Sequence, residues 1–197
     1  MTIEKGKEWG RLVSQPRGGE PVVGDLAREL GVEPISTTQR IVVAWRELPL
    51  DLLDVTCVLE GGSQSRFTTS THVTCGRPWG GEYCIVSSTS FVAGRRIFDR
   101  AHPNDGRLDW LRFTQNMNLR QRLAFRRRTG VGTHLPHPDV HTGTGTYFEA
   151  NFRRPVTVRA AHTAVRRVVS LSVTVVPDGS LTHIPAGDGE VGQPDVL

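Results

Sequence analysis

Long apolar runs are missing from this chain of 197 residues. No stretch approaches the 18 or so apolar residues that a membrane-spanning helix needs, so no transmembrane segment is predicted. The first nine residues, Met-Thr-Ile-Glu-Lys-Gly-Lys-Glu-Trp, have no apolar core of the kind a signal peptide carries. We therefore expect a cytoplasmic protein.

Cysteine is scarce as well: only Cys57, Cys75 and Cys84 occur. An odd number at wide spacing argues against a disulfide framework and against a zinc site. Each of the three lies in an apolar or alternating stretch. We therefore expect buried free thiols on strands.

Several motifs of nucleotide and acyl chemistry are also missing. No Gly-x-Gly-x-x-Gly follows a predicted strand and opens a helix, and Gly-Lys-Ser/Thr does not occur. Gly-x-Ser-x-Gly, the pattern of a serine nucleophile on a sharp turn, is absent too. The residues alone therefore offer no phosphate loop and no convincing catalytic triad.

Positive charge is plentiful, with a formal net charge of +4. Much of it lies between positions 112 and 128, in Arg112, Arg120, Arg122, Arg126, Arg127 and Arg128. Such a patch suits phosphate on a nucleotide, a lipid headgroup or a nucleic acid, but it is equally typical of a solvated helix face. The stretch has few interleaved aromatic residues and the chain carries many acids, so nucleic-acid binding is not expected.

Strand signals dominate from position 41 onward. Short apolar or alternating runs, separated by glycine-rich and proline-rich turns, occupy residues 41–45, 55–59, 67–74, 83–91, 108–113, 147–152, 156–158 and 168–176. This spacing predicts a mainly β fold of two packed antiparallel sheets, sandwich-like, with one or two short helices. We expect one domain over 1–183 and a disordered tail over 184–197, which is rich in proline, glycine and acids.

Two helices are predicted. The first covers 21–31, with Asp25 as its cap and Gly31 at its end. The second lies between Asn118 and Arg128. There Asn118 and Gln121 have capping-box spacing.

The periodicity of the second helix predicts which of its faces is buried and which is exposed. Leu119 and Leu123 are four residues apart and form an apolar stripe. Its arginines are expected to flank that stripe and to point outward.

The turn Pro103-Asn-Asp-Gly106 makes Asp105 the strongest single candidate for a site residue. In such a turn one carboxylate and nearby carbonyl oxygens can face a single point, which is the ligand set that Mg²⁺ or Ca²⁺ prefers. The alternative is an Asx turn that only shapes a hairpin.

A second candidate stretch, Thr133-His-Leu-Pro-His-Pro-Asp139, contains His134 and His137. Pro136 lies between them, so they do not share a regular helix and their spacing does not imply a metal pair. Rigid presentation of a polar loop to a ligand is one interpretation. Imidazoles bonded to backbone carbonyls are the other.

These stretches resemble the C-terminal domain of bacterial diacylglycerol kinase-like lipid kinases. The resemblance is carried by Arg100-Ala-His-Pro-Asn-Asp-Gly-Arg-Leu-Asp109, Arg120-Gln-Arg-Leu123, Arg126-Arg-Arg128 and Gly132-Thr-His-Leu-Pro-His-Pro-Asp139. Lys5-Gly-Lys-Glu-Trp-Gly10 and Gly24-Asp-Leu26 are similar to a shorter, stand-alone actinobacterial subgroup.

The resemblance implies a β-sandwich substrate domain with a structural Mg²⁺ at the Asp-Gly turn. Its ligands would be the side chain of Asp105 and the carbonyl oxygens of His102 and Arg107. The ligand-binding surface would lie within residues 100 to 139, and the residues we assign to it are Asn104, Arg120, Arg127, His134, His137 and Asp139.

Two features of the family are missing here. Its Gly-Gly-Asp-Gly-Thr nucleotide motif does not occur, and the region matching its catalytic acid reads Val158-Arg-Ala-Ala-His-Thr163. Phosphoryl transfer depends on positioning and charge stabilisation around the phosphate. We therefore expect no bound nucleotide, no catalytic residue and no kinase activity from this chain alone.

Two functional hypotheses follow. The first is a non-catalytic β domain that binds a lipid, a phosphorylated ligand or a partner protein, with peripheral contact to a membrane. The second is the substrate-binding subunit of a split lipid kinase whose nucleotide-binding domain is a separate chain. In both cases the missing domain would leave a surface uncovered, so a homo- or hetero-oligomer is expected.

Overall fold

The computed structural model describes residues 11–13, 24–30, 45–129, 137–161 and 163–185. Strands are β1 (Arg11–Val13), β2 (Trp45–Leu59), β3 (Gln64–Thr69), β4 (His72–Arg77), β5 (Gly80–Ser87), β6 (Phe91–Val92), β7 (Arg95–Arg96), β8 (Leu108–Phe113), β9 (Val140–Gly145), β10 (Tyr147–Ala160) and β11 (Thr163–Pro185). The helices are α1 (Gly24–Glu29) and α2 (Leu119–Arg128). The predicted mainly β class, with short helices, is confirmed.

Nine of the described strands form one antiparallel sheet. Its order is β1-β2-β11-β10-β4-β5-β8-β9, and β3 pairs with β2 off this path. β6 and β7 form a separate small hairpin. The two halves of the large sheet are joined by a short pairing of β10 with β4, at Val158 opposite Cys75 and Arg159 opposite Thr74.

The two halves pack face to face around the main core. Trp110 of β8 and Phe148 of β10 belong to strands that are not paired, yet their ring centroids lie 5.3 Å apart. Buried Val55, Val86 and Leu171 come from three different strands of the same apolar cluster. The predicted two-layer arrangement is therefore built from one curled sheet, whose layers stay hydrogen-bonded to each other at the β10–β4 junction.

A second apolar cluster lies on the other face of β5 and β8. Ile85, Leu111, Phe113 and Phe125 are among its buried members. Because side chains alternate along a strand, Cys84 and Val86 contribute to the first cluster and Ile85 to the second. Helix α2 covers this second face through Phe125, whose ring meets Phe113 edge-on at 4.9 Å.

Two strands are longer than the sequence pattern predicts. β2 runs unbroken through Pro49, which lies in the part of β2 that pairs only with β11. A proline is tolerated there because one edge of the strand has no ladder bond to lose. β11 likewise continues beyond residue 176, the end of the predicted run, because a bulge between Val176 and Ser180 absorbs residues 177–179.

The ends of the predicted segments also differ. Ile184 and Pro185, assigned to the tail, belong to β11, while residues 186–197 lie outside the described residues. Residues 143–145, which lie outside the predicted strands, form the end of β9. Gly143 is opposite Trp110, and a Cβ atom at Gly143 would lie 2.5 Å from that indole ring. The glycine therefore makes room for the indole across the strand pair.

The first helix is shorter than predicted. It begins at Gly24, so Asp25 lies in its first turn rather than before it. Gly31 and residues 41–44, which were assigned to a helix end and a strand, lie outside the described residues.

The predicted cap of α2 is confirmed, and four of its five arginines are exposed as predicted, but the predicted leucine stripe is wrong and Arg122 is buried. Asn118 and Gln121 form a reciprocal capping box. The buried side chains are Arg122 and Phe125, whereas Leu119 and Leu123 are 53% and 40% exposed. The buried face is decided by what lies beneath it, namely the Phe113 ring and a set of backbone carbonyls.

The three cysteines are buried free thiols on β2, β4 and β5, as predicted. Burial raises the pKa of the Cys57 thiol to about 11. Burial, and then a hydrogen bond with Cys84 directly across the strand pair, raises the pKa of Cys75 as well.

Candidate functional site

The Asn-Asp-Gly turn is held by a buried carboxylate on β2. Asp51 is fully buried, and its Oδ2 accepts the backbone N–H groups of Asp105 at 3.0 Å and Gly106 at 2.8 Å. Its Oδ1 accepts the N–H of Asp178 at 3.2 Å, from the bulge in β11. A buried carboxylate needs such donors. Asp51 therefore ties the turn to two strands.

Sequence reasoning did not single out Asp51. The signal that could have found it is an acid inside the apolar run Leu48 to Leu53. Acids are rarely fully buried unless they have partners, so an acid in a core strand indicates a structural or functional role.

Asp105 forms the Asx turn considered from its sequence. Its Oδ1 accepts the backbone N–H of Arg107 at 2.9 Å. Asn104 donates to the carbonyl oxygen of Pro49 at 2.7 Å and to Asp178 Oδ1 at 3.1 Å. The His102 Nδ1 accepts the N–H of Asn104 at 3.3 Å. These bonds give the turn a structural role of its own.

Most of the protein ligands of a metal ion at this turn would be backbone carbonyl oxygens. The described residues bring together no group of three or more His, Cys, Asp or Glu side chains suited to a metal ion. A site made of one Asp105 oxygen with the carbonyls of His102 and Arg107 fits Mg²⁺, which is often held by one or two carboxylates plus water. The magnesium site remains a prediction.

Asp109 adds a second carboxylate near the turn. It is half-buried on β8 and accepts a hydrogen bond from the hydroxyl of Thr144. Burial raises the pKa of Asp109; the Thr144 bond opposes that shift and the negative charge of Asp105 adds to it. The negative charge of Asp105 is therefore close enough to act on the Asp109 carboxyl group.

His137 and Asp139 belong to a different part of the molecule. The Asp139 carboxylate accepts the Thr114 hydroxyl at 3.2 Å and the Gln121 side-chain amide at 2.9 Å. The His137 Nδ1 accepts the N–H of Asp139 at 3.1 Å. These bonds brace the start of α2. His134 lies outside the described residues.

The predicted ligand residues are therefore not gathered at one point. Asn104 precedes β8, and Asp139 is bonded just beyond its end. The strand has six residues, so its first and last Cα atoms are five steps of about 3.3 Å, or roughly 17 Å, apart. Arg120 and Arg127 are exposed on α2. The sequence stretches that suggested one site are thus placed at the two ends of β8.

An apolar cavity of about 220 Å³ lies beneath α2. Its walls include Tyr83, Ile85 and Ile97 together with the Phe113 and Phe125 rings. Arginines line it as well: Arg95, Arg122 and Arg126. An apolar interior with guanidinium groups in its lining suits a ligand that has a hydrocarbon part and a negative charge.

Arg122 forms one wall of this cavity. It is 2% exposed, and its guanidinium lies 5.2 Å from the Phe113 ring centre. It donates to the carbonyl oxygens of Met117 at 2.9 Å and Gly81 at 2.6 Å, with longer bonds to those of Arg77 and Pro78 at 3.4 Å. Burial lowers the pKa of Arg122. The side chain therefore holds the β4–β5 turn against α2 as a clamp, through hydrogen bonds to the carbonyl oxygens of that turn.

Neither described helix is long and apolar enough to cross a membrane.

Comparison with solved structures returns bacterial diacylglycerol kinases, the class that the sequence stretches resemble. A diacylglycerol kinase from Bacillus anthracis str. Sterne matches with a TM-score of 0.48 and 10% identity, over 74% of this chain and 56% of that chain. Two further proteins of that organism, assigned as diacylglycerol kinases, give TM-scores of 0.41 and 0.38 at 10% and 9% identity. They are matched over 72% and 70% of this chain and over 41% and 40% of their own.

This chain thus spans about half the length, or less, of the kinases it matches. No protein-family model and no curated protein matches the sequence.

Proposed function

We propose that this chain binds an anionic lipid, with an acyl segment in the cavity beneath α2 and the negative headgroup beside Arg126 and Arg95. The observation that carries the proposal is the combination of an apolar interior with arginines in the same lining. A hydrocarbon chain gains free energy by leaving water, at about 0.8 kcal/mol for each buried CH₂ group.

The aromatic residues support this orientation. Phe113 contacts Tyr83 at 5.2 Å and Phe125 at 4.9 Å between ring centroids, so three packed rings form one side of the cavity. The Arg126 guanidinium lies 4.9 Å from the ring centre of Trp79, which is 41% exposed. This stacking places a cation next to an aromatic ring at the solvent side of the apolar space.

Arg95 reinforces that position. Its Nη1 donates to the carbonyl oxygen of Arg126 at 3.0 Å, so the β6–β7 hairpin is bonded to the end of α2. The cavity volume is below the roughly 300–1,000 Å³ that holds a whole drug-sized ligand. We therefore propose that it receives part of an acyl chain, with the rest of the lipid outside.

A role in lipid phosphorylation is the wider form of this proposal. The matched solved structures are diacylglycerol kinases, and a lipid bound here would become a substrate if a second chain brought a nucleotide site to it. A radiolabelled-ATP assay on this protein with a mixed lipid panel should give no turnover by itself. Turnover would contradict the expectation of an inactive chain.

Decanoate tests the cavity, because it has an acyl chain and a negative charge but no phosphate. We expect decanoate to bind more tightly than decanol, and Arg126→Gln to weaken decanoate binding about tenfold by removing a charged hydrogen-bond donor. Arg128→Gln is the matched control, because Arg128 is exposed on the same helix and does not line the cavity. Isothermal titration calorimetry gives the affinities.

A cavity-filling variant tests the acyl part separately. Val92→Phe should reduce the affinities for decanoate and decanol together while circular dichroism still reports a folded β protein. Absence of decanoate binding, or equal effects of Arg126→Gln and Arg128→Gln, would reject the proposed site.

A further inference from the structure

We propose that a second site, on the opposite face of β5 from the cavity, binds a phosphomonoester. It is a groove of about 720 Å³, and we call it the arginine groove after the four arginines that line it: Arg77, Arg153, Arg154 and Arg159. Glu82 lines the groove, whereas its neighbour Tyr83 lines the cavity. Successive side chains of a strand point to opposite faces, which separates the two sites.

Two irregularities in the sheet form this groove. β10 shifts register between Asn151 and Val156 and again between Val156 and Val158, so the Arg153-Arg154-Pro155 segment leaves the regular ladder. Such bulges re-aim side chains and are frequent beside binding sites. Arg159 follows on the same strand, opposite Thr74 of β4.

The facing wall is the β4–β5 hairpin, which shifts register between Gly76 and Arg77. Gly76 has a φ of +81°, and a Cβ atom there would lie 2.0 Å from the carbonyl oxygen of Glu82. Only glycine fits this close approach. The bend that brings Arg77 to the groove therefore depends on Gly76.

The charges in the groove are unbalanced. Glu82 is its one carboxylate among the described lining residues, and its Oε1 already accepts from Arg112 Nη2 at 3.0 Å. Its Oε2 accepts the backbone N–H of Arg153 at 2.8 Å. In the described part of the chain, none of the four groove arginines has a carboxylate at ion-pair distance.

This arrangement favours a compact dianion. Guanidinium groups bind phosphate oxygens through paired, charge-assisted hydrogen bonds, and a phosphomonoester carries up to two negative charges near neutral pH. The groove lining contains no aromatic side chain among the described residues. Single-stranded nucleic acid, which is bound largely by base stacking on aromatic rings, is therefore a poorer fit.

The phosphomonoester could come from a soluble metabolite or from a lipid headgroup. Two probes distinguish these sources: glycerol 3-phosphate and dihexanoylphosphatidic acid, each titrated into the full chain at low ionic strength by calorimetry. Equal affinities would identify the phosphate alone as the ligand. Tighter binding of the phosphatidic acid that persists in Val92→Phe but is weakened by Arg153→Gln/Arg159→Gln would identify a lipid headgroup as the source.

The variants follow from the geometry. The Arg153→Gln/Arg159→Gln double variant should weaken binding of glycerol 3-phosphate by at least about tenfold, because two guanidinium contacts are lost. The Arg153→Lys/Arg159→Lys double variant should bind glycerol 3-phosphate with intermediate affinity, because lysine keeps the positive charge but not the paired donors of a guanidinium group. Arg100→Gln, an exposed arginine outside the groove lining, is the control and should change little.

The side chains of Arg153 and Arg159 are exposed, so the double variant is expected to fold. Circular dichroism checks this. The proposal is overturned if glycerol 3-phosphate does not bind, if the double variant binds it as well as the original protein, or if only an oligonucleotide binds. Decanoate carries no phosphate, so these results leave the test of the lipid cavity independent.

Discussion

Arg122 donates to the carbonyl oxygen of Gly81 at 2.6 Å, and this bond ties α2 to the turn between β4 and β5. The same turn borders both proposed sites: Trp79 lines the cavity, while Gly80 and Gly81 line the arginine groove. A single buried side chain therefore supports the common wall of two sites.

Replacing Arg122 should destabilise the protein markedly. Arg122→Met removes the donor from the buried bond to the Met117 carbonyl and from the partly buried bond to the Gly81 carbonyl. An unsatisfied buried group costs about 1–3 kcal/mol. Relief from burying a charge offsets part of this cost, so we expect a net loss of about 2–4 kcal/mol in the free energy of unfolding. Urea denaturation measures it.

The control for this prediction is Arg120→Met on the exposed side of α2, which should stay within about 0.5 kcal/mol of the original protein. Arg122→Lys should also destabilise, because an ammonium group cannot reach carbonyls in several directions as the planar guanidinium does. Equal stability of Arg122→Met and Arg120→Met would show that the clamp is unimportant.

Asp51 should prove essential to the Asn-Asp-Gly turn. Asp51→Asn replaces an accepting oxygen with an NH₂ group that faces backbone N–H donors, at a cost of about 1–3 kcal/mol. The amides of Asp105 and Gly106 should then exchange faster with solvent deuterium. Asp54→Asn on the same strand, whose partner is the exposed Arg66, should leave that exchange unchanged. Unaltered protection in Asp51→Asn would contradict this account.

Magnesium should stabilise the protein if Asp105 and the carbonyls of His102 and Arg107 bind it. A ligand present at 100 times its Kd adds about 2.7 kcal/mol to the free energy of unfolding. We expect Mg²⁺ to raise the melting temperature, EDTA to reverse the effect and Asp105→Asn to abolish it. Asp99→Asn, an acid that is exposed and paired with Arg96, should leave it intact. A Mg²⁺ effect of the same size in Asp105→Asn would place the ion elsewhere.

Alkaline pH should destabilise the fold. Burial raises the pKa of Cys57 from about 9 to about 11 and that of Tyr83 from about 10 to about 12. Both groups stay protonated longer in the folded state, so their contribution is complete below pH 9 and is lost as the pH rises through about 11 and 12.

Chemical denaturation at a series of pH values checks this prediction. Cys57→Ala should make the fall in the free energy of unfolding between pH 9 and 11 shallower. An unchanged slope in that variant would assign the alkaline effect to other groups.

Local patterns predicted much of the fold. The short apolar run at residues 108–113 predicts β8 with the bounds that the structure has, and the offset of Asn118 and Gln121 predicts the start of α2. Both signals depend on neighbours within a few residues, where backbone geometry alone sets the spacing. The buried cysteines follow from the apolar or alternating stretches in which they lie.

The candidate sites were less predictable, and the helix α2 explains why. Its leucine spacing indicates an apolar face, yet Arg122 is buried because carbonyls about 40 residues earlier in the chain accept its hydrogen bonds. Asn104 and Asp139 were assigned to one ligand surface, but Asn104 precedes β8 and bonds to Pro49, whereas Asp139 bonds to Thr114 just beyond the other end of β8. No local pattern encodes partners that are so distant in sequence.

The sequence by itself determined where apolar and polar residues alternate along strands and where α2 begins. It also determined that the three cysteines are buried and that arginine supplies most of the positive charge. The tertiary structure alone decided which arginines are buried, which are gathered in a groove and which carboxylate holds the turn. The physical reason is that a buried charge or donor is stable only with its partners. Asp51 finds its partners in the turn at residues 105–106 and in the bulge of β11, and Arg122 finds most of its partners around the β4–β5 turn. These groups are distant in sequence and come together only in the folded sheet.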